Sequence, residues 1–190
     1  RKRAPEPGNA MKPTTFLIVL AATAVCVAAA TVAVVKEQRA TVAAPGGPLF
    51  AELLDHANDV ATITIDSGTG TLTIARASDG AWGLVENDGY PVPTDMVRRL
   101  VAGLAEVRLL EPKTDQSERY ARLEVEDPAP GAKSKRVTLG DAAGTSLAAL
   151  IVGRENYSFD LNGLRGVYVR EPGGRAFLAE AALDVPTPTV

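Results

Sequence analysis

Residues 16–35 read FLIVLAATAVCVAAATVAVV, a run of 20 in which only Thr23 and Thr31 are polar and nothing is charged. At about 1.5 Å rise per residue such a helix spans roughly 30 Å, the thickness of a bilayer hydrocarbon core. No polar positions recur at helical spacing, as they would in a soluble core helix. After a stretch without period, KEQRATVAAPGGP, the pattern changes. Leu49, Phe50, Leu53, Leu54 and Ala57 fall at helical spacing and predict a short amphipathic helix. Ala61, Ile63 and Ile65 then alternate with Thr62, Thr64 and Asp66, the period of a half-buried strand. Ser67-Gly68-Thr69-Gly70 turns the chain, and Leu72 and Ile74 alternate with Thr71 and Thr73 on the return. A second turn, Ser78-Asp79-Gly80, leads into a short strand through Trp82, Leu84 and Val85.

Val97, Leu100, Val101 and Leu104 hold i, i+3, i+4, i+7 spacing and predict the main helix. Thr94 is its expected N-cap, and Asp95 complements its N-terminus. This helix is expected to lie across the meander and bury Ile63, Ile65, Leu72, Ile74 and Trp82. The prolines and glycine of DPAPG at 127–131 interrupt the chain. Residues 136–139 and 147–152 then flank a Gly-containing loop at 140–144, and residues 167–170 and 175–178 flank Glu171-Pro172-Gly173-Gly174. Both read as hairpins. The order predicts an α+β fold, largely antiparallel, with one main packing helix. The openings TITIDSGTGTLTI and RVTLGDAAGTSLAALI look alike, as a duplication or two unrelated hairpins would.

The expected organisation is therefore a cytoplasmic tail at 1–15, a transmembrane helix at 16–35, a linker at 36–48 and an extracytoplasmic domain at 49–186. Within that domain, 49–112 and 132–186 stand as candidate sub-portions. A cleaved signal peptide is the competing reading of the apolar run, since Ala28-Ala29-Ala30 offers small residues at a suitable place. Signal cores are shorter, about 7–15 residues. Val25 before Cys26 argues against lipoprotein processing, leaving Cys26 as a small lipid-facing hydrophobe. Arg1, Lys2, Arg3 and Lys12 against Glu6 put the N-terminus in the cytoplasm by the positive-inside bias. Met11 followed by Lys12 makes a natural start, and PTPTV completes no element, the pattern of a fragment.

Composition sharpens this picture by exclusion. The mean hydropathy of +0.04 averages two unlike parts, because 18 of the 20 residues in the run are apolar and none of the charges lie there. Residues 36–190 carry 16 basic and 22 acidic side chains, which argues against nucleic acid and anionic lipid as partners. One Cys and one His exclude a disulfide framework and the usual zinc sites.

Candidate chemistry is sparse. His56, the only imidazole, lies beside Asp55 and Asn58 and reads as an exposed helix-end residue before it reads as a general base. Glu124, Glu126 and Asp127 suggest a cation site or a carboxylate pair, but more simply a solvated acidic edge. Arg165, Arg170 and Arg175 suggest an anion site, or charged sheet edges. Trp82 is a ligand platform or, beneath the helix, core. Gly163-Leu164-Arg165-Gly166 reads as a turn. No catalytic, cofactor-binding or metal-binding residue is assigned, and the chain is expected not to be an enzyme.

The order of motifs nevertheless looks familiar. It runs from Pro48-Leu49-Phe50 and VATITI through Trp82 after Asp79-Gly80 to Gly89-Tyr90-Pro91, then LLEPKT at 109–114 and RYARL at 119–123. It continues with DPAPGAKS at 127–134, LIVG at 150–153 and GVYVR at 166–170. Together these resemble the bacterial domain-of-unknown-function family 4340, over the apolar segment and essentially all of 48–185. The resemblance implies a single-pass protein of the bacterial inner membrane with a periplasmic domain and no assigned catalysis. Members are often encoded beside ABC transporter components similar to those of gliding motility systems. They often continue beyond the segment corresponding to 177–186. A noncatalytic accessory or interaction subunit is thus the leading expectation, with a periplasmic small-molecule or glycan binding module as the alternative. No cofactor is implied, and oligomeric state and substrate stay open.

Overall fold

Nine antiparallel strands line up in one sheet whose order is set by two meanders meeting at their first strands. The computed structural model describes residues 47–161, 164–181 and 183–187. The tail and apolar run, and the linker up to residue 46, lie outside the described residues. Among the described residues no helix is long and apolar enough to cross a membrane.

The first meander consists of β1 (Val60–Ser67), β2 (Gly70–Arg76), β3 (Trp82–Leu84) and β4 (Tyr90–Val92). Helix α1 (Thr94–Ala105) and β5 (Arg108–Pro112) follow. A 3-10 turn at Ser117–Arg119 runs into the one-turn helix α2 (Tyr120–Leu123). The second meander is β6 (Lys135–Asp141), β7 (Ser146–Leu161), β8 (Leu164–Arg170) and β9 (Ala176–Glu180). The sheet order is β4-β3-β2-β1-β6-β7-β8-β9-β5. The α+β class, the antiparallel sheet and the hairpins expected from alternation are all present.

At the β1–β6 seam Ile63 faces Leu139, Thr64 faces Thr138 and Ile65 faces Val137. Each first strand then leads outward through its own hairpin, so the two similar sequence openings occupy matching places about the seam. The portions 49–112 and 132–186 therefore share one sheet, and they interleave, because β5 leaves the first meander to pair with β9. Apolar alternation puts Ile63, Ile65 and Ile74 of one meander and Val137, Leu139 and Leu150 of the other on one face, with at most 1% exposure. Leu100, Val101 and Leu104 of α1 close over that face in a single cluster with Trp82, Val167 and Phe177. Each fully buried aliphatic side chain contributes about 1.5–3 kcal/mol before conformational entropy is subtracted. Leu72 is only half-buried, at the margin of this core.

Three local expectations need correction. The segment 49–57 is a chain of turns, not a helix: Leu53 N, Ala57 N and Asp59 N bond three residues back, and only His56 N reaches four back, to Glu52 O at 3.3 Å. Pro48 bridges Arg108 and Leu49 N bonds Val107 O at 2.7 Å, so the start is pinned in extended form, and the residues that follow close mainly through bonds three residues back. Leu54 is consequently exposed, while Leu53 is buried. Second, α1 starts one residue early. Pro93 occupies the cap position, with its carbonyl accepting from Met96 N at 3.0 Å, and Thr94 lies inside the first turn without capping it. Third, a β-bulge between Val60 and Thr62 breaks the alternation of β1, turning Val60 inward and leaving Ala61 half-buried.

The opposite face is polar over the first meander, where Thr62, Thr64 and Thr73 are half-buried. Over the second meander it carries a small second core of Tyr120, Val125, Ile151 and Ala176, supplied by the α2 segment.

Candidate functional site

Where α1 crosses the end of the first meander, it leaves a cavity of about 350 Å³ against the turns at 53–59. Its floor is apolar: Val60, set inward by the bulge, with Trp82, Val97 and Val101. Leu54 and Ala57 form one wall, and Ala102 and the helix start at Thr94 form another. Gly80 closes the far side in a turn where Gly80 N bonds Ala77 O at 2.9 Å. Its φ of +85° is one that side-chain-bearing residues rarely adopt.

Two arginines hold the mouth. Arg76 stands directly opposite Trp82 in the β2–β3 register, so both side chains share a face. Its guanidinium lies 5.8 Å from the indole centroid, within cation–π range, and donates to Asn58 O at 3.2 Å. Arg98 projects from α1, 3.9 Å from Asp95, in an ion pair that is largely exposed on both sides. The lining includes one hydroxyl and one amide, from Thr94 and Asn58, and no imidazole, thiol or carboxylate. It can therefore hold a ligand but supplies no side-chain general base. Volume and lining both fall within the range of small-molecule sites.

The other candidate residues are dispersed. His56 Nδ1 bonds Asp59 Oδ2 at 2.9 Å on the exposed turn segment. That bond, with the charges of Asp59, Glu52 and Asp55, raises its pKa above the ordinary imidazole value despite slight desolvation. Glu124 pairs with Lys133 Nζ at 3.4 Å, and Glu126 Oε1 accepts from Lys133 N at 3.2 Å. Asp127 pairs instead with Arg170 at 2.9 Å, so Glu124 and Asp127 meet two separate cationic side chains while Glu126 takes a backbone N–H. Glu126 Oε2 is buried, so this stretch is not simply the solvated edge expected from the sequence. Among the described residues no group of three or more His, Cys, Asp and Glu side chains is placed to hold a metal ion.

The arginine trio does not converge. The Arg165 side chain and residue 163 lie outside the described residues, and Arg175 meets Asp115 at 3.5 Å on the surface. Arg170 is 2% exposed, not on an edge, because β8 is flanked by β7 and β9 and its outward face is covered by the α2 segment. Its Nε donates to Val125 O at 2.7 Å and its guanidinium stacks 4.5 Å from the Tyr120 centroid. One terminal nitrogen lies close to Asp127 but off the hydrogen-bond direction, so that contact is an ion pair by distance alone. Arg170 is thus a structural bolt.

Sequence reasoning missed the pocket because its parts come from three separated segments, 54–60, 76–82 and 94–102. Trp82 alone was flagged, and it serves both readings, 8% exposed in the core and forming part of the pocket floor. Arg98 off the apolar stripe, and Arg76 at the end of a strand before a turn, were the available signals. No family model, curated protein or solved structure matches the chain.

Proposed function

We propose that this domain is a noncatalytic binding module, held at the outer side of the bacterial inner membrane by the apolar run, which takes a small molecule into the Trp82 pocket. The observation that carries the reading is the apolar cavity with two arginines at its mouth. The lack of a base or thiol in its lining favours binding over turnover. Ala102→Phe projects a ring into the cavity from the α1 side. The test is native mass spectrometry of the full chain incubated with a small-molecule extract of the cell envelope. The wild type retains an adduct that the Ala102→Phe protein lacks; identical spectra from the two proteins overturn the reading.

A second reading, docking on an ABC transporter of the gliding-motility type, rests on the family resemblance. Val85 and Tyr90 favour it, since both are exposed at the β3–β4 end of the sheet, where β4 is an edge strand. The two readings are compatible, with the module presenting its ligand to the transporter. Purification of the chain from native membranes, under conditions that retain other complexes, tests it: a transporter subunit co-purifies, or the reading fails.

A further inference from the structure

We infer that the pocket takes a small single-chain amphiphile with one anionic head, a carboxylate or a phosphate ester. The inference rests on the binding reading above and specifies its ligand. Three observations converge on it.

The first is a local inversion of charge. Residues 36–190 hold 22 acidic against 16 basic side chains, yet the pocket lining contains Arg76 and Arg98 and no acid. Neither arginine is fully neutralised. Arg76 contacts a carbonyl and an aromatic ring, and Arg98 has Asp95 at the limit of ion-pair distance in solvent. The bond to Asn58 O also fixes the Arg76 guanidinium, so its remaining donors are presented with little further loss of freedom.

The second is the floor, which carries four apolar side chains, Val60, Trp82, Val97 and Val101. A glycan would turn most of its hydroxyls toward this apolar floor, leaving them without partners, since the polar groups of Arg76, Arg98, Thr94 and Asn58 lie around it. A hydrocarbon chain instead gains with every methylene it buries against this floor.

The third is size. The cavity of about 350 Å³ holds the liquid volume of roughly a dozen waters, which matches a ligand of about that many non-hydrogen atoms. Eight carbons and a head group fit; a diacyl lipid does not.

The chain contains a single Trp, and it is Trp82, so indole fluorescence reports on this pocket alone. The experiment titrates the full chain in phosphatidylcholine vesicles with octanoate, octyl phosphate, octanol and octyltrimethylammonium, and repeats the series on an Arg76→Gln/Arg98→Gln protein. Both arginines are exposed, so their replacement leaves the core intact. Variant and wild type share the same partitioning of probe into lipid. The expected result is that one or both anions bind the wild type roughly tenfold more tightly than octanol, and that the double variant loses this preference. The stronger of octanoate and octyl phosphate identifies the head. Equal binding of octanol and the anions, tighter binding of the cation, or an anion preference that survives in the double variant overturns the inference while leaving a binding module. Silence of Trp82 toward all four probes also overturns it, and the adduct experiment with Ala102→Phe then decides the binding reading separately.

Discussion

Arg136 closes on Asp66 across the central seam, donating from Nε at 3.1 Å and from a terminal nitrogen at 2.8 Å to one carboxylate oxygen. The two residues are direct partners in the β1–β6 register, and Thr71 Oγ1 donates to the other oxygen at 2.7 Å. Partial burial pushes the Asp66 carboxyl upward, but the bonds from Arg136 and Thr71 prevail and hold it below its ordinary value. A depressed carboxyl contributes stability that is present above its unfolded-state pKa and lost as pH falls through the folded-state pKa. Asp66→Asn is expected to cost about 1 kcal/mol at neutral pH, the scale of a partly solvated pair, and to weaken the acid dependence of stability. Urea titrations from neutral pH down through the carboxylate range measure both effects. An unchanged acid limb in the variant would show that Asp66 does not couple folding to protons.

Arg170 and Asp127 should behave very unequally, although they are partners. Replacing Arg170 by Met strips Val125 O of its donor and Tyr120 of its cation, in a site where Arg170 is 2% exposed. The expected loss is about 3–5 kcal/mol. Asp127 is 69% exposed, and Asp127→Asn is expected to cost less than about 1 kcal/mol. Chemical denaturation of the two variants checks the ratio. Equal costs would mean that the ion pair, and not the carbonyl and ring, anchors the arginine.

Gly153 lies where β7 passes under the α2 segment. A Cβ there would meet Leu123 O, Val125 Cγ1 and Glu124 O, the last at 2.7 Å. Two of these are backbone atoms that cannot swing aside. Gly153→Ala is therefore expected to destabilise the domain by about 1–3 kcal/mol. Near-UV dichroism of the variant should lose the Tyr120 and Tyr168 signals first, since both rings belong to this second core. A variant of native stability would show that the segment is free to lift away.

His56 offers a proton-linked signal of the opposite sign. Its bond to Asp59 raises the imidazole pKa, so its contribution to stability is present below the unfolded-state pKa and fades as pH rises through the folded-state value. In Asp59→Asn the titration midpoint of His56, followed by NMR, is expected to fall toward the ordinary value of about 6.5. An unmoved midpoint would assign the shift to Glu52 and Asp55 instead.

Alternation of side chains made the meanders readable, and the 3.6-residue stripe made α1 readable, because both patterns follow from one buried face. Periodicity does not record which strands become neighbours. Nothing in RLLEP, the sequence of β5, shows that it pairs with β9 instead of β4, since that choice depends on how α1 returns the chain. Spacing also failed at residues 49–57, where the apolar positions suit a helix but the chain starts in extended form at Pro48 and Leu49 and continues as turns. Arg170 looked like a surface charge because its cover, Tyr120 and Val125 O, lies 45 or more residues away in the chain. The pocket was hidden for a related reason. Its inward Val60 depends on a bulge, and a single extra residue in one strand leaves no compositional mark.

The pairing of β5 with β9 also sets an order of events during synthesis. Synthesis runs from the N-terminus and a domain folds as a unit, so the segments of β1 to β5 are made while the strands that flank them on the far side are still to come. β1 carries an open edge until residues 135–141 arrive, and β5 waits for residues 176–180. Over that interval the nascent chain presents two unpaired strands, each able to recruit a wrong neighbour. A chain interrupted before Ala176 would lack the partner of β5 altogether, so β9 is the lock for a strand made more than sixty residues earlier.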